Sequence, residues 1–369
     1  MKSQFFEKNL TEGLAGQLAR WEADPEVQSV LILMAEKDRP SDRELNAIFK
    51  KAGKPLLGGV FPEIISDGHR KETGVLLLGL PFPVQVTVLP MNTSMGDLLG
   101  QLDGVFADTI ITQKSVFIFY DSMGKQKTDL IESLYNYFGN GCTYFGGGAG
   151  SLSFTSIQCI ISPAGMMSDA AVIGLADQRL SIGVAHGWEP VSDPMKVTKA
   201  SGNVVHQINR KPAFEEYQSV IRTHSGQEIT PEDFFNIAKS YPLGIAKLDS
   251  EMIVRDPFAT DGSSISILDD ILEGEYIQIL HGNKQTLLAG ASAASQKAGI
   301  LSSASQNSRP VLCIDCISRV LYLQSDFDQE LSRIGPSGQL MGALTLGEVA
   351  NSGDSFLEIY NKTVVVGRF

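Results

Sequence analysis

Charged groups set into apolar runs are the residues of this chain best placed to do chemistry. Arg255 and Asp256 close a short run that begins at Met252, Arg319 follows Cys316 by three, and Glu348 follows Leu344-Thr-Leu-Gly347. A charge beside buried strands is costly unless it is paired or used. Arg255 and Arg319 each suit a carboxylate, which a guanidinium grips through two parallel hydrogen bonds, and Glu348 suits an amine. A mutual Arg–Glu pair with no ligand is the competing reading. All three, and Cys316, stand at or just past the end of a strand-like run, where α/β folds build their sites. The pattern predicts that Arg255, Cys316, Arg319 and Glu348 converge on one cavity in the C-terminal half.

Cys313-Ile-Asp-Cys316 is a C-x-x-C pair at the end of a strand. Structural zinc needs four ligands, and no second C-x-x-C or H-x-x-x-H accompanies it. A redox dithiol prefers the N-terminus of a helix, where the dipole lowers the thiol pKa; a cysteine buried as a small hydrophobe is the alternative. The five histidines, His69, His186, His206, His224 and His281, show no metal-ligand spacing on a helix. An axial haem ligand needs only one histidine in an apolar pocket, so spacing does not decide that case. The run Phe145-Gly-Gly-Gly-Ala-Gly150 could offer backbone N–H groups to an anion. The next segment, Ser151 to Ile161, reads as strand rather than helix, so a tight turn with close backbone packing is the stronger reading. There is no phosphate loop, serine elbow, kinase signature or metalloprotease helix.

The whole chain bounds these options. It has 369 residues, 42 acidic against 30 basic, for a formal charge of −12. That balance disfavours nucleic acid and anionic membranes as partners. Four cysteines are too few for a disulfide framework, and the N-terminus lacks the apolar run of a signal peptide, which predicts a reducing, cytoplasmic setting. The charge-free stretches 73–96 and 133–168 are broken by Pro or rich in Gly, Ser, Thr and Asn, so neither reads as a membrane span.

The elements that must position these residues read as α/β (α+β). Residues 11–22 form an amphipathic helix, 29–35 a buried strand, and Ser41 with Glu44 a capping box opening a helix to about 52. Strands are predicted at 55–61, 74–80 and 84–89, the last two joined as a hairpin by Pro81-Phe-Pro83, and at 115–120 before a helix over 128–138. Three strands lie between 157 and 185, and 200–211 reads as the junction between halves. The second half opens on a helix at 212–222. It continues through strands at 244–248, 252–255, 264–268 and 276–280, a helix over 284–297, a strand at 310–313, a helix over 318–334 and strands at 340–346 and 356–367. No internal repeat is visible. The expected fold is two mixed-sheet halves with flanking helices, residues 1–205 and 206–369, sharing an interface.

Several segments resemble one family. Phe145-Gly-Gly-Gly-Ala-Gly150 and Gly187-Trp188-Glu-Pro190 are similar to motifs of the N-terminal FIST sensory domain, and Pro212-Ala-Phe-Glu-Glu-Tyr217 to the start of the C-terminal FIST domain. Cys316-Ile-Ser-Arg319, Gly342-Ala-Leu-Thr-Leu-Gly-Glu348 and Asn361-Lys-Thr363 resemble the C-terminal signature. The resemblance implies an intracellular sensor of a small molecule, amino acids or related metabolites among them, that acts on a partner such as a histidine kinase or a cyclic-dinucleotide enzyme. Gly58-Gly-Val-Phe-Pro-Glu-Ile-Ile65, Thr223-His224-Ser-Gly226 and Val254-Arg-Asp-Pro257 resemble stand-alone bacterial members described as haem-containing nitric-oxide sensors. That likeness implies haem as cofactor, with His224 first and His186 second as its ligand, and with the 133–168 segment helping to line the cavity. The chain reads as non-enzymatic; an enzyme with Cys316 as nucleophile is the alternative.

Overall fold

The computed structural model describes residues 1–247, 251–300, 310–351 and 355–369. Ser29–Ala35 (β2), after Lys2–Phe6 (β1) and the helix Leu10–Glu22 (α1), runs parallel to Leu56–Phe61 (β3) through the helix Asp42–Phe49 (α2). Helical crossovers cover both faces of such strands, so these read as continuous apolar runs. The helix α2 opens on the expected capping box: Ser41 Oγ accepts from the Glu44 N–H, and the Glu44 carboxylate accepts from the Ser41 N–H. A hairpin, Glu63–Ser66 (β4) and His69–Lys71 (β5), precedes Val75–Leu80 (β6), which lies antiparallel between β1 and β2.

The same order then recurs. The second unit is Val84–Pro90 (β7), Met95–Phe106 (α3), Ser115–Asp121 (β8), Lys127–Phe138 (α4), Thr143–Ala149 (β9), the hairpin Ile160–Ser162 (β10) and Gly165–Met167 (β11), and Ala170–Ala176 (β12). The third opens with Ser181–Ala185 (β13). It is interrupted by an insertion holding nine strands between Glu189 and His281 (β14–β22) and the helices Ala213–Ser225 (α5) and Phe234–Ala238 (α6). The unit resumes with Lys284–Lys297 (α7), Val311–Cys316 (β23), Ile317–Leu323 (α8), Phe327–Ile334 (α9) and Leu340–Thr345 (β24). The hairpin Glu348–Asn351 (β25) and Leu357–Tyr360 (β26), then Val364–Arg368 (β27), close it.

Three six-stranded sheets result, all with one strand order: β1-β6-β2-β3-β10-β11, β7-β12-β8-β9-β25-β26 and β13-β27-β23-β24-β4-β5. Each unit's hairpin completes another unit's sheet, the first on the third, the second on the first and the third on the second. The ring is closed, and two of its sheets mix strands from before and after residue 205. Each parallel pair carries a glycine at the same register, Gly58 opposite Ile32, Gly146 opposite Ile118 and Gly342 opposite Cys313. A methyl group at any of the three would lie 1.8 Å from the partner's carbonyl oxygen.

Several expectations change. An internal repeat does exist, three-fold, carried by topology and one glycine register rather than by side-chain similarity. Pro81-Phe-Pro83 is not a hairpin: β6 and β7 belong to different sheets, and the prolines, lacking N–H groups, end one ladder before the next begins. The glycine-rich run is strand β9 for most of its length, buried against backbone, rather than a loop. Residues 200–211 lie in the insertion, where Met195–Ser201 pairs with Val204–Ile208. The long helix expected at 318–334 breaks at Gln324, whose φ is 51°. The strand expected at 244–248 is Leu243–Ile245, and its last expected residue lies outside the described set.

Candidate functional site

The three-fold arrangement supplies its own control. The hairpin residue opposite Gly59 is Ile160, the one opposite Ala343 is Ile64, and the one opposite Gly147 is Glu348. Three residues past Ile32, Ile118 and Cys313 stand Ala35, Asp121 and Cys316. Two of the three hairpin positions are therefore apolar. The third, where the last unit's hairpin meets β9, holds a fully buried carboxyl group.

Glu348 Oε1 accepts from Thr345 Oγ1 at 3.0 Å and Oε2 from the Thr363 N–H at 3.2 Å, and the carboxyl touches the Cys316 thiol. Burial pushes its pKa well above the usual carboxylate range, favouring the neutral acid. Burial, and then Glu348, push the Cys316 thiol up as well, and its Sγ lies 3.1 Å from Ser318 Oγ. The helix that starts at Ile317 does not offset this. All four cysteines are free and buried, with pKa values raised by burial, which makes them poor nucleophiles.

The insertion lies against this junction and contributes Arg255, Asp256 and Asp269. Lys127 of the second unit pairs with Asp269, which also accepts from Asn361 Nδ2 at 2.8 Å. Burial alone would raise Asp269, yet Lys127 and Arg255 beside it bring it below the usual range. Lys362 Nζ pairs with Asp256 at 3.1 Å and lies over the Trp188 ring. Arg255 donates from Nε to the Asp270 carbonyl and from Nη1 to those of Val254 and Ile359; among the described residues it has no carboxylate partner, and its Nη2 has no acceptor. The hydroxyls of Tyr120, Tyr360 and Ser122 and the side-chain Oδ1 of Asn361 are buried without a hydrogen-bond partner among the described residues. Asp256 Oδ1 and both Asp315 carboxylate oxygens are unpartnered as well; buried polar groups are nearly always satisfied, so these orphans call for an explanation.

Of the four residues expected to converge, Cys316 and Glu348 touch, and both lie with Arg255 within electrostatic reach of Tyr120. Arg319 is buried beside them but is spent. Nε and Nη2 hold Glu330 bidentately at 2.8 and 2.6 Å, and Nη1 and Nη2 donate to the carbonyls of His186, Lys362 and Leu287. All five N–H donors are used, so the ligand clamp expected of Arg319 is a structural one. The four residues form a buried network rather than the walls of an open cavity.

A pocket of about 470 Å³ lies elsewhere, lined by His186, Trp188, Glu251, Gln285, Thr286 and Lys297 among others, and by none of those four. His186 is 5% exposed, and its Nδ1 accepts from the Trp188 N–H at 2.8 Å. The hydrogen therefore sits on Nε2, which faces Glu251 Oε1 at 3.5 Å. A metal-bound histidine has the opposite polarity, donating through one nitrogen and ligating through the other. Burial also pushes His186 down to about 4, and the pocket wall is polar, with a Lys297–Glu251 pair at 2.7 Å. His224 lies in the last turn of α5, not beyond it, and is exposed. Its Nδ1 is 3.1 Å from Tyr241 Oη, and its ring is 4.9 Å from that of His281. Neither histidine stands in the apolar slot that haem requires, and within 133–168 the buried residues pack into the core while 152–156 are exposed.

Tyr120, Lys127, Asp269, Tyr360 and Asn361 were missed as site residues. Asn361 falls in a family-like motif and Tyr120 ends an apolar strand, so both carried a signal. Lys127 and Asp269 carried none, because only the fold brings residues 142 apart in sequence together.

A model described as the FIST N domain matches residues 29–211, and one described as the FIST C domain matches residues 213–351. A stretch of 128 residues is 24% identical to an uncharacterized protein of Methanocaldococcus jannaschii, covering 31% of this chain and 24% of that one. The chain thus spans about a quarter of the length of this curated relative. A crystal structure of a chorismatase superposes with a TM-score of 0.35 and 10% identity, over 100% of this chain and 97% of that one, a likeness too low to carry an argument.

Proposed function

Because the chain belongs to the FIST family of small-ligand sensory proteins, we propose that it senses a small molecule at the junction of β8, β9, β23 and the insertion and signals to a partner protein. One observation carries this reading: the hydroxyls of Tyr120 and Ser122 and the side-chain oxygen of Asn361 are buried without a hydrogen-bond partner among the described residues at one of three equivalent junctions, with Arg255 in electrostatic reach of Tyr120. A structural network would satisfy its own members; a receptor leaves them for its ligand. The insertion supplies Arg255 and Asp269, so occupancy changes how it is held against the second unit. That gives a binding event a route to the surface, where a histidine kinase or a cyclic-dinucleotide enzyme would read it.

The role is binding rather than catalysis, since the Cys316 thiol is buried and its pKa raised. The free cysteines fit a reducing, cytoplasmic setting, and among the described residues no helix is long and apolar enough to cross a membrane. The test compares, by mass spectrometry, small molecules released on heating from the wild-type chain and from Tyr120→Phe and Arg255→Met. A compound present in the wild type and depleted in both variants is expected. Equal recovery from all three would contradict the site.

A further inference from the structure

We infer that the pocket beside His186 is a second binding site, built for an organic amine: a protonated nitrogen carried on an apolar body. It is separate from the junction proposed above. The pocket lies between helix α7 and the segment that leaves β13, and its volume of about 470 Å³ falls within the range of small-molecule sites. Backbone contact holds its two walls in a fixed relation. A methyl group on Gly187, whose φ is 81°, would lie 2.1 Å from the Thr286 carbonyl oxygen, and one on Gly290 would lie 2.6 Å from the Gly187 nitrogen. Along α7, Gln285, Ala289, Ala293 and Lys297 follow at four-residue intervals and line the pocket as one ridge, apolar in the middle and polar at both ends.

The charges select the ligand. Lys297 Nζ is taken by Glu251 Oε2 at 2.7 Å and by the Val184 carbonyl at 2.8 Å. His186 adds no charge, because its Nδ1 accepts from the Trp188 N–H. Glu251 Oε1 faces His186 Nε2 at 3.5 Å and has no hydrogen bond among the described residues, and Glu189 on the wall has no ion-pair partner among them. Two carboxylates thus stand against one ammonium that is already engaged. A wall with a free carboxylate oxygen and an excess negative charge suits a cation that donates hydrogen bonds. A bare divalent ion would find too few ligands, since among the described residues no three His, Cys, Asp or Glu side chains are grouped to hold one. The Ala289–Ala293 ridge gives the hydrocarbon part of an amine its surface.

The experiment pairs amines with the alcohols of the same shape: benzylamine with benzyl alcohol, phenethylamine with phenethyl alcohol and 1,5-diaminopentane with 1,5-pentanediol. Phenylalanine, which is phenethylamine with a carboxylate added, is a further probe, and calorimetry on the full chain is the readout. At least one amine is expected to bind once per chain, about tenfold more tightly than its alcohol, the worth of a charge-assisted hydrogen bond. Phenylalanine should bind more weakly than phenethylamine. Glu251→Gln should weaken the amine about tenfold, and Ala289→Leu, which fills the pocket from an exposed helix position without changing charge, should abolish binding. Lys297→Met, which releases Glu251 Oε2, should strengthen it. Tyr120→Phe and Arg255→Met should leave it unchanged, so this site and the junction fail separately. An alcohol that binds as well as its amine, phenylalanine binding more tightly than phenethylamine, weaker amine binding in Lys297→Met, or no response to any amine overturns the ligand class. Affinity that survives both Glu251→Gln and Ala289→Leu, or that falls in Tyr120→Phe or Arg255→Met, overturns the site.

Discussion

At the scale of single residues, Glu348 is the most informative position, because its two equivalents are Ile64 and Ile160. A carboxyl group held where the fold elsewhere places isoleucine costs stability, and burial resolves the cost by favouring the protonated form. Its folded pKa is raised above the unfolded value, so the native state binds a proton more tightly than the unfolded chain. This group therefore destabilises the fold progressively as pH climbs above the ordinary carboxylate range. Glu348→Gln keeps the shape of the protonated acid, with its amide group donating to Thr345 Oγ1. Its melting temperature should match the wild type in acid and exceed it increasingly towards alkaline pH; an advantage that does not grow with pH would show that Glu348 is ionised in the fold. The cost of burying charge was enough to single out Arg255 and Glu348 from sequence. It misjudged Arg319, because a sequence does not show that Glu330 and three carbonyls use every donor.

At the scale of elements, the apolar runs and the Ser41 cap were legible because burial and capping leave local patterns. The repeat was not. Its units share strand order, hairpin exchange and one glycine register, while their side chains differ and the third is split by the insertion at 189–281. The glycines carry the most direct test. At Gly342 a methyl group would meet the Cys313 carbonyl oxygen at 1.8 Å, and neither strand has room to move. Gly342→Ala should cost more than about 3 kcal/mol, at the severe end of overpacking, or prevent folding. Gly100, exposed in the middle of α3 with nothing near it, is the counterpart. Gly100→Ala should stabilise by about 0.5–1 kcal/mol, the difference in helix propensity. Chemical denaturation of both variants checks the pair; a tolerated Gly342→Ala would refute the close strand approach.

At the scale of the whole molecule, the chain is a closed ring of three units in which one junction has been made polar and roofed by an insertion. A residue boundary at 205 falls inside the strand Val204–Ile208, and β4, β5, β25 and β26 cross between sheets, so the two family domains are halves of one ring. This arrangement makes a numerical claim. Three equivalent junctions offer three places, but only one carries Glu348, Tyr120 and the Arg255 roof. The measurement that tests this most directly is native mass spectrometry of the full chain, saturated with the small molecule that the wild type releases on heating, beside Tyr120→Phe and Arg255→Met. One adduct per chain in the wild type, lost or strongly reduced in both variants while their charge-state distributions stay those of a folded protein, is the predicted result. Three adducts per chain, none, or a single adduct that persists in both variants would contradict it.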